Sequence, residues 1–524
     1  MDLTGYEPPI EAIGDNYLYE LPNRGKKGTQ SRFFLTTRSL HRTRVWEAIE
    51  VKSREQPTPV PNAKLVVLKD AWIDETRLTE LAIQTQLFDD IRAFAATPDW
   101  REHPLLGKLE DADKDRLGSL FEGDKFKDLF LRAALEHKSR TRVPLHSSGD
   151  SKELKASADD ETSGSNTKGP KTRVVTVFEE VCTALDDLPT LGDAMDVMKQ
   201  CLVALQLMMV AGWVHRDISA GNILAYRAKE GDRWSLKLAD LEYAKKCSFD
   251  TTTYDSRVGT SFFMPWEIQN CLRVTGNFRT PRGVNHDYQH DLESLWWIWL
   301  WIITCRIQDH PGSRKVVAGL FEELYDHNPY RKLAWAHGIE GLETHLHQSL
   351  QAFPPIVDRL RHQLGDLSLM HVSGPAEANY DRYSEAHALF RRELHRTEEA
   401  RAAWGPVKLK TNKPVAGKAP TKTTGNPKAS YSGNGCRPSR GGFSRPAQVS
   451  PASTKRLRSI NDDMDRDHED QPVLPKPLKY SKKATKMQGS KEANGSTFPL
   501  TRSRTRLMKG RIQEVTGTRS KRGR

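Results

Sequence analysis

Cysteine pairs, long apolar runs and an apolar N-terminus are all missing from this sequence. Its 524 residues include only six cysteines, none in a CxxC pair, so neither a disulfide framework nor a zinc site is indicated. Met1–Tyr19 is acidic and has no continuous apolar stretch, which is unlike a signal peptide. The most apolar run, Leu295–Cys305, is too short to span a bilayer and predicts a buried helix. We therefore expect an intracellular protein in a reducing compartment, with no membrane partner.

Basic residues are concentrated at the C-terminal end of the sequence. Residues 405–524 contain 28 Lys or Arg and 8 Asp or Glu, which gives a net charge of +20. Residues 1–404 contain 52 basic and 60 acidic side chains, so their net charge is −8. The basic tail is rich in Pro, Ser, Gly and Thr, and we expect it to be disordered because it has too few apolar side chains to form a core.

Apolar periodicity divides the rest of the chain into four parts. Residues 1–95 contain strand-like runs and a helix, and residues 96–171 look like an insertion that is partly disordered from Ser147 onwards. Residues 172–181 hold a strand, and residues 182–404 contain long helices and short strands. The predicted strands are Phe33–Leu35, Val45–Val51, Lys64–Leu68, Val174–Phe178, Asn222–Ala225 and Ser235–Leu238. The predicted helices are Asp74–Phe94, Phe126–His137 and Gly192–Ala211.

The strongest chemical signal is His215-Arg216-Asp217 followed by Asn222, between a predicted helix and a predicted strand. Phosphoryl transfer requires an aspartate that receives or orients the proton of the acceptor hydroxyl, and oxygen ligands for the metal ions that neutralise the phosphates. The H-R-D pattern with its later Asn supplies both, with Asp217 as catalytic base and Asn222 as a metal ligand. The alternative is an ordinary turn in which Asp217 caps a loop and His215 is a core histidine.

Residues downstream of this motif add to the interpretation. Asp240 follows a predicted strand 23 residues after Asp217, and its carboxylate would complete a magnesium site. Gly259–Glu267 closes a polar stretch as a kinase activation segment does, with Glu267 in a structural role. Asp291 opens the apolar helix, as at the start of the buried helix beneath a kinase catalytic loop. These features in this order favour a protein kinase with ATP and Mg²⁺ as co-substrates.

Upstream of the motif, Lys69 directly follows a predicted strand, where a lysine would pair with the phosphates of ATP. Glu80, eleven residues on and within the predicted helix, is the first candidate for its ion-pair partner. Glu75 is the alternative, and a solvated helix face would also explain either glutamate. Glu179–Val181 would form a hinge whose backbone meets adenine.

Five strings of residues make the chain resemble the fungal-type protein kinases, an expanded group of eukaryotic-like kinases in filamentous fungi. They are Thr43–Ala48, Val67–Trp72, His215–Leu224, Gly259–Glu267 and His290–Ser294. The resemblance covers about residues 33–404 and implies an α+β, two-lobed kinase-like fold, with a small β-rich N-lobe and a large helical C-lobe ahead of the disordered basic tail. It also implies ATP and Mg²⁺ as co-substrates and Ser/Thr hydroxyls of an unidentified protein substrate as acceptors.

Three positions depart from the usual kinase pattern. Residues 39–43 stand where glycines would let backbone N–H groups approach the phosphates, and His41 and Arg42 are candidates to substitute as cations. Glu242 replaces the glycine of D-F-G, which would either place a further carboxylate near the metal or stiffen the loop, although the fungal group often has an acidic residue there. Ser219 occupies the position of a lysine near the transferring phosphate, so the choice between Ser/Thr and Tyr acceptors stays open.

Three other functions remain open from the sequence. A pseudokinase would keep the fold and bind partners but fail at transfer for want of the glycine loop. A small-molecule phosphotransferase of the aminoglycoside or choline type shares the H-x-D and Asn pattern, although Arg216 and the Asp291 helix start are typical of protein kinases. The basic tail would allow binding to nucleic acid or to a nuclear import receptor through clusters such as Lys455–Arg458 and Arg519–Arg524. We accordingly expect a nuclear or nucleo-cytoplasmic protein.

Overall fold

The computed structural model describes residues 10–25, 28–40, 44–143, 170–247, 258–270, 273–275, 278–280, 284–310, 314, 317, 319–321, 329–371 and 376–410. The N-terminal part folds into a seven-stranded antiparallel sheet with the order β1-β2-β3-β4-β5-β7-β6. Its strands are β1 (Ile10–Ile13), β2 (Asn16–Gly25), β3 (Gly28–Ser39), β4 (Val45–Val51), β5 (Leu65–Asp74), β6 (Ala133–Val143) and β7 (Lys171–Phe178).

The sheet has an apolar core of its own, which includes Phe34, Leu68 and Val175, all fully buried. β-branched and aromatic side chains favour strands because they pack well on a pleated, half-buried surface. Burying one such side chain stabilises the fold by about 1.5–3 kcal/mol. The predicted strand Val45–Val51 has the same bounds in the structure.

A buried ionic network joins three strands of this sheet. The carboxylate of Asp70 on β5 accepts two hydrogen bonds from the Arg173 guanidinium on β7, each at 2.7 Å. Oδ2 of Asp70 also accepts a hydrogen bond from the hydroxyl of Tyr19 on β2 at 3.0 Å, and the guanidinium of Arg44 lies 2.9 Å from the same oxygen. Burial, together with the Asp70 charge, raises the pKa of Tyr19 to about 12. The network links β2 of the N-terminal hairpin directly to β5 and β7.

The helix after β5 begins later than the sequence predicts. β5 continues to Asp74 because Trp72 and Ile73 pair with Arg173 and Thr172 of β7. Helix α1 (Glu80–Ala95) therefore replaces the predicted Asp74–Phe94. Its start is capped by Thr79, whose Oγ1 accepts a hydrogen bond from the backbone N–H three residues on at 3.3 Å.

The structure corrects the predicted insertion at residues 96–171. Helix α2 (Asp111–Phe121) and β6 belong to the fold, and β6 completes the sheet beside β7. The predicted helix Phe126–His137 is wrong, since its first residues belong to a 3-10 segment, Glu122–Leu129, and its last to β6. Edge pairing with β7 overrides the local preference of this stretch. Residues 144–169 lie outside the described residues.

Helices dominate the chain after β7 and share a second, larger core. They are α3 (Leu191–Val210), α4 (Trp266–Asn270), α5 (Tyr288–Cys305), α6 (Pro329–His337), α7 (Leu342–His345), α8 (Phe353–Leu369), α9 (Tyr380–Thr397) and α10 (Arg401–Trp404). The short strands are β8 (Thr183–Ala184), β9 (Trp213–Val214), β10 (Ile223–Tyr226), β11 (Ser235–Leu238), β12 (Lys245–Lys246), β13 (Arg273–Thr275) and β14 (Phe278–Thr280). The overall class is α+β.

Helix α5 is the buried helix that the apolar run predicts. Trp296, Trp297 and Trp299 are fully buried within it, and Trp299 packs against Phe353 and Phe390. Within the described residues, no helix is long and apolar enough to cross a membrane. The aromatic run thus forms the centre of the second core.

The first residues of the predicted disordered tail are ordered against the helical core. The backbone N–H of Gly192 donates to the carbonyl of Gly405 at 3.0 Å, and a Cβ at Gly192 would lie only 2.9 Å from that oxygen. Lys408 pairs with Thr190, and Leu409 pairs with Ile307 and is buried. The predicted tail boundary at residue 405 is therefore wrong by at least six residues. Residues 411–524 lie outside the described residues, and a role for them in nucleic-acid binding or nuclear import stays a prediction.

Candidate active site

A buried carboxylate fixes the loop that carries Asp217, between β9 and β10. Oδ2 of Asp291 on α5 accepts from the backbone N–H of His215 at 2.7 Å, and Oδ1 accepts from that of Arg216 at 2.9 Å. Arg216 has a φ of +73°, a left-handed conformation that costs a non-glycine residue about 1–3 kcal/mol. The two bonds to Asp291 hold this conformation and so set the backbone position of Asp217.

Both carboxylate oxygens of Asp217 accept hydrogen bonds from neutral donors. Oδ1 accepts from the backbone N–H and from the hydroxyl of Thr260, both at 2.8 Å. Oδ2 accepts from Nδ2 of Asn222 at 3.0 Å, and the same nitrogen donates to the Asp217 carbonyl at 2.9 Å. The predicted pair Asp217 and Asn222 is thus in direct contact, and the carboxylate is fixed in one orientation.

Gly259 allows the close approach of Thr260 to Asp217. Its φ is +116°, a region that L side chains rarely adopt, and a Cβ would lie 3.0 Å from the Arg216 carbonyl. A side chain at this position would push the segment away from the catalytic loop. The sequence singled out Gly259-Thr260 by its place in an activation segment, but gave no reason for the contact with Asp217.

The β10–β11 hairpin brings Asn222 close to Asp240. Ile223 pairs with Leu238, and the backbone N–H of Ala239 donates to the carbonyl of Asn222 at 2.9 Å. Asn222 comes immediately before β10, and Asp240 comes two residues after β11, so both lie at the same end of the hairpin. Asp240 itself has a left-handed φ of +62°.

The oxygen atoms at this end of the hairpin suit a magnesium ion. Among the described residues, no donor contacts Oδ1 of Asn222, because its amide nitrogen is turned to Asp217. Asp240 adds a carboxylate. Mg²⁺ is usually held by one or two protein oxygen groups together with waters and phosphates, so this pair fits it. Within the described ranges, no group of three or more His, Cys, Asp or Glu could hold a metal by itself.

Lys69 contacts three carboxylates at once. Its Nζ lies 2.7 Å from Oδ1 of Asp240, 3.2 Å from Oε2 of Glu80 and 3.2 Å from Oε2 of Glu242. Burial alone would lower the pKa of Lys69, but the three negative charges raise it well above its ordinary value. Oε1 of Glu80 also accepts from the backbone N–H of Leu241 at 3.1 Å. The structure therefore pairs Lys69 with Glu80.

Glu75, the alternative partner, lies in the turn between β5 and α1. Its backbone N–H donates to the carbonyl of Pro170, and its own carbonyl accepts from Lys138. These contacts involve the end of β7 and the edge strand β6. Since β5 runs on to Asp74, Glu75 falls outside α1, whereas Glu80 is its first residue.

An apolar cluster adjoins the charged residues. Val67 precedes Lys69 by two residues on β5 and so shares its side of the strand, while Ala239 directly precedes Asp240. The buried members are Val67, Leu131, Phe178 and Ala239, and Leu40, Val45, Ala133, Val181, Cys182 and Leu224 pack against them. They come from distant parts of the chain, so no local sequence pattern could have shown the cluster.

The predicted hinge borders this cluster, and Leu40 and Val45 at the β3–β4 connection pack against it. Phe178 leads into Glu179–Val181, where Oε1 of Glu180 lies 2.8 Å from Nζ of the buried Lys237. On the other side, β3 and β4 form a hairpin closed by a hydrogen bond from the backbone N–H of Leu40 to the carbonyl of Val45 at 2.9 Å. Residues 41–43, and with them the proposed cations His41 and Arg42, lie outside the described residues.

Arg331 on α6 anchors the end of the activation segment, a role that no sequence pattern indicated. Its guanidinium donates to the carbonyls of Ser261, Phe262 and Met264 at 2.7, 2.6 and 2.7 Å. It also lies over the ring of Trp297, 4.1 Å from the centroid. Burial lowers the pKa of Arg331 to about 9.

Glu267 is buried and contacts His290, so its surroundings suit the structural role that the sequence predicts. Nε2 of His290 lies 3.1 Å from Oε2 of Glu267, and Nδ1 lies 3.1 Å from Oδ1 of Asp287. Burial would lower the pKa of His290, but the two carboxylates raise it to about 9. Nδ1 also accepts a hydrogen bond from the backbone N–H of Asp287 at 2.9 Å, which a protonated Nδ1 cannot do, so protonation of the ring would exchange this bond for the contact with Oδ1. The ring of His290 thus links α4 to the start of α5.

The predicted site residues form two groups that meet at the β10–β11 hairpin. One group is Lys69, Glu80 and Asp240, and the other is Asp217 and Asn222. Thr260 and Arg331 complete the surroundings together with His290, and the partners Asp217 of Thr260, Ser261 of Arg331 and Glu267 of His290 are each more than 20 residues away along the chain. Only the tertiary structure shows these contacts.

Comparisons with known proteins match parts of this chain to protein kinases. A stretch of 99 residues is 34% identical to serine/threonine-protein kinase 10 of Danio rerio. That stretch is 19% of this chain and only 9% of the zebrafish kinase, so the chain spans a small part of that relative's length. The model of the fungal protein kinase family matches residues 5–303, which is more than half of the sequence and includes Lys69, Asp217 and Asp240. The chain therefore belongs to the fungal protein kinase family.

Proposed function

We propose that this protein transfers the γ-phosphate of ATP to hydroxyl groups of a protein substrate, with Asp217 as the catalytic base. Membership of the fungal protein kinase family supports kinase activity in general. The finer proposal depends on one observation: the contact network that joins Lys69, Glu80 and Asp240 to the hairpin end where Asn222 and Asp217 meet. A kinase needs its phosphate-binding lysine, metal ligands and base together in this way.

The nucleotide would lie between the apolar cluster and Lys69. The cluster offers a desolvated surface for a flat ring, and the Glu179–Val181 hinge borders it with backbone donors and acceptors. Lys69 offers its ammonium to the phosphates, and Glu80 orients the lysine. Asn222 and Asp240 would hold Mg²⁺, which supplies neutralisation of the charge on the phosphate oxygens.

Asp217 would accept the proton of the substrate hydroxyl group. The acceptor oxygen bonds to the γ-phosphorus, the bond from that phosphorus to the bridging oxygen of ADP breaks, and the hydroxyl proton passes to the Asp217 carboxylate. The neutral donors on Asp217 leave it free of any described cation that would compete for its charge. Because the matched relative is named a serine/threonine kinase, we propose Ser or Thr acceptors, although Ser219 replaces the usual lysine.

Transfer from labelled ATP in the presence of Mg²⁺ tests this function. We expect the full-length protein to label itself or a generic protein acceptor, and Asp217→Asn to reduce the rate by about 10²–10⁴-fold. Nucleotide affinity should not change, because Asp217 does not contact Lys69. Asp232→Asn, on the exposed turn between β10 and β11, is the matched control and should keep full activity. Equal labelling by the wild type and Asp217→Asn would refute the catalytic assignment, and nucleotide binding without any transfer would indicate a pseudokinase.

A further inference from the structure

The ammonium group of Lys69 has no spare hydrogen-bond donor. An ammonium has three N–H groups, and three carboxylate oxygens lie within 3.2 Å of Nζ, one each from Glu80, Asp240 and Glu242. A phosphate oxygen that binds Lys69 must therefore take the place of one of these acceptors.

Glu242 is the carboxylate that a phosphate can most easily displace from Lys69. Glu80 is only 7% exposed and is also bound to the backbone N–H of Leu241, so it is fixed. Asp240 belongs to the candidate metal pair with Asn222. Glu242 is 27% exposed and lies on a short 3-10 turn rather than on a helix or strand of the core.

Space and positive charge are available for a displaced Glu242 side chain. A cavity of about 270 Å³ is bordered by both Lys69 and Glu242 and extends along β5 towards the start of α1. Arg77 and Lys171 line it together with Asp74 and Glu80. Nε of Arg77 lies 3.6 Å from Oδ2 of Asp74, and its guanidinium lies 5.3 Å from the ring centroid of Tyr243, the neighbour of Glu242. The carboxylate can leave Lys69 and still remain close to cations.

We infer that Glu242 competes with the phosphates of a nucleotide for Lys69 and so lowers the nucleotide affinity of the free protein. The inference depends on the proposed function, since it takes Lys69 to be the phosphate-binding lysine. A carboxylate and a phosphate on one ammonium repel each other, so the nucleotide must displace Glu242 in order to bind. Glu242, which replaces the D-F-G glycine, then weakens nucleotide binding to the free protein.

Calorimetric titration with ADP, in EDTA and again with Mg²⁺, tests the inference on the full-length protein. We expect Glu242→Gln, which removes the charge and keeps the shape, to bind metal-free ADP about tenfold more tightly than wild type, or ~1.4 kcal/mol. Glu242→Ala should show at least the same gain. Asp89→Asn removes one negative charge from a side chain of α1 that is 65% exposed and should leave the affinity unchanged.

The possible results separate the inference from the function. If wild type binds ADP and Glu242→Gln binds it with equal or lower affinity in EDTA, the inference is wrong and the proposed function stands. Equal affinity of Glu242→Gln and wild type in EDTA, with a loss only in Mg²⁺, would make Glu242 a metal ligand and would overturn the inference. If neither wild type nor either variant binds ADP, the proposed function and the inference fail together. Binding by Glu242→Gln alone would support both.

Discussion

Asp217 and Lys69 are both assigned to the proposed phosphoryl transfer, but the structure holds them in different ways. Asp217 is fixed by an amide, a hydroxyl and a backbone N–H, and its loop is fixed by two backbone bonds to Asp291. Lys69 is fixed by three carboxylates, of which Asp240 and Glu242 are about 30% exposed. The catalytic loop is held by short-range hydrogen bonds, whereas the nucleotide side is held by charge.

The difference indicates which side must change when substrate binds. Hydrogen bonds from neutral donors in a fixed geometry need no rearrangement, so the loop that carries Asp217 is preorganised. The charges around Lys69 must be redistributed when phosphates and metal arrive, because like charges then share one ammonium. We therefore expect variants of the catalytic loop to affect transfer and variants of the Lys69 cluster to affect nucleotide affinity.

The largest effect on stability is expected from Asp291→Ala. The change leaves the backbone N–H groups of His215 and Arg216 buried without an acceptor, and it no longer holds the left-handed conformation of Arg216. We expect the free energy of unfolding, measured in urea, to fall by about 3–5 kcal/mol. Transfer should fall with it, while ADP affinity at low denaturant should change less than twofold.

Asp291→Asn is the control for this change, because it keeps one oxygen acceptor and should lose roughly half as much stability. If Asp291→Ala weakened ADP binding as strongly as it weakens transfer, the two sides of the cleft would not be independent. That result would contradict the expectation that Asp291 affects transfer but not nucleotide affinity.

A smaller effect is expected from pH at His290, whose ring lies between the carboxylates of Glu267 and Asp287. Its pKa is about 9 in the folded protein and about 6.5 when unfolded, so its contribution to stability is fully present below pH ~6.5 and is lost as pH rises through 9. We expect wild type to lose up to ~3 kcal/mol more than His290→Gln between pH 6.5 and 9.5, at about 1.4 kcal/mol per pKa unit. Urea unfolding at each pH measures the difference.

His362→Gln is the matched control for the pH series. The side chain of His362 is 66% exposed on α8 and its contact with Asp366 at 3.0 Å is also exposed, so its removal should change the pH dependence of stability much less than His290→Gln does. Parallel stability curves for wild type and His290→Gln would show that His290 is not an imidazolium in the folded state.

The smallest expected loss of stability comes from Lys69→Met, on the nucleotide side. Glu80 would be buried without its counter-charge, but Asp240 and Glu242 can turn towards solvent, so we expect a loss of about 2 kcal/mol. ADP affinity should fall by at least tenfold, in contrast to Asp291→Ala. Lys246→Met, at a lysine that is 62% exposed, is the control and should change neither quantity. Unchanged ADP affinity in Lys69→Met would contradict the assignment of Lys69 to the phosphates.

Local patterns predicted the elements whose side chains repeat with one period. The strands Val45–Val51 and Ser235–Leu238 have the predicted bounds, and α3 differs by one residue at each end. The stretch from Phe126 to His137 failed because its state is set by pairing with β7, which is more than 30 residues away. Where pairing with a distant strand sets the secondary structure, the propensity of the local sequence predicts it poorly.

Short motifs were enough to predict the family and the chemical groups of the candidate site, because Asp217, Asn222 and Asp240 lie close together in sequence, on one loop and one hairpin. The sequence also indicated Lys69 and Glu80 by their place on a strand and a helix. The structure shows that Lys69 pairs with Glu80 rather than Glu75, and that Glu242 is a third acceptor of its ammonium group. The physical reason is distance along the chain: Lys69 and Glu242 are brought together by sheet pairing and core packing, which a local pattern does not contain.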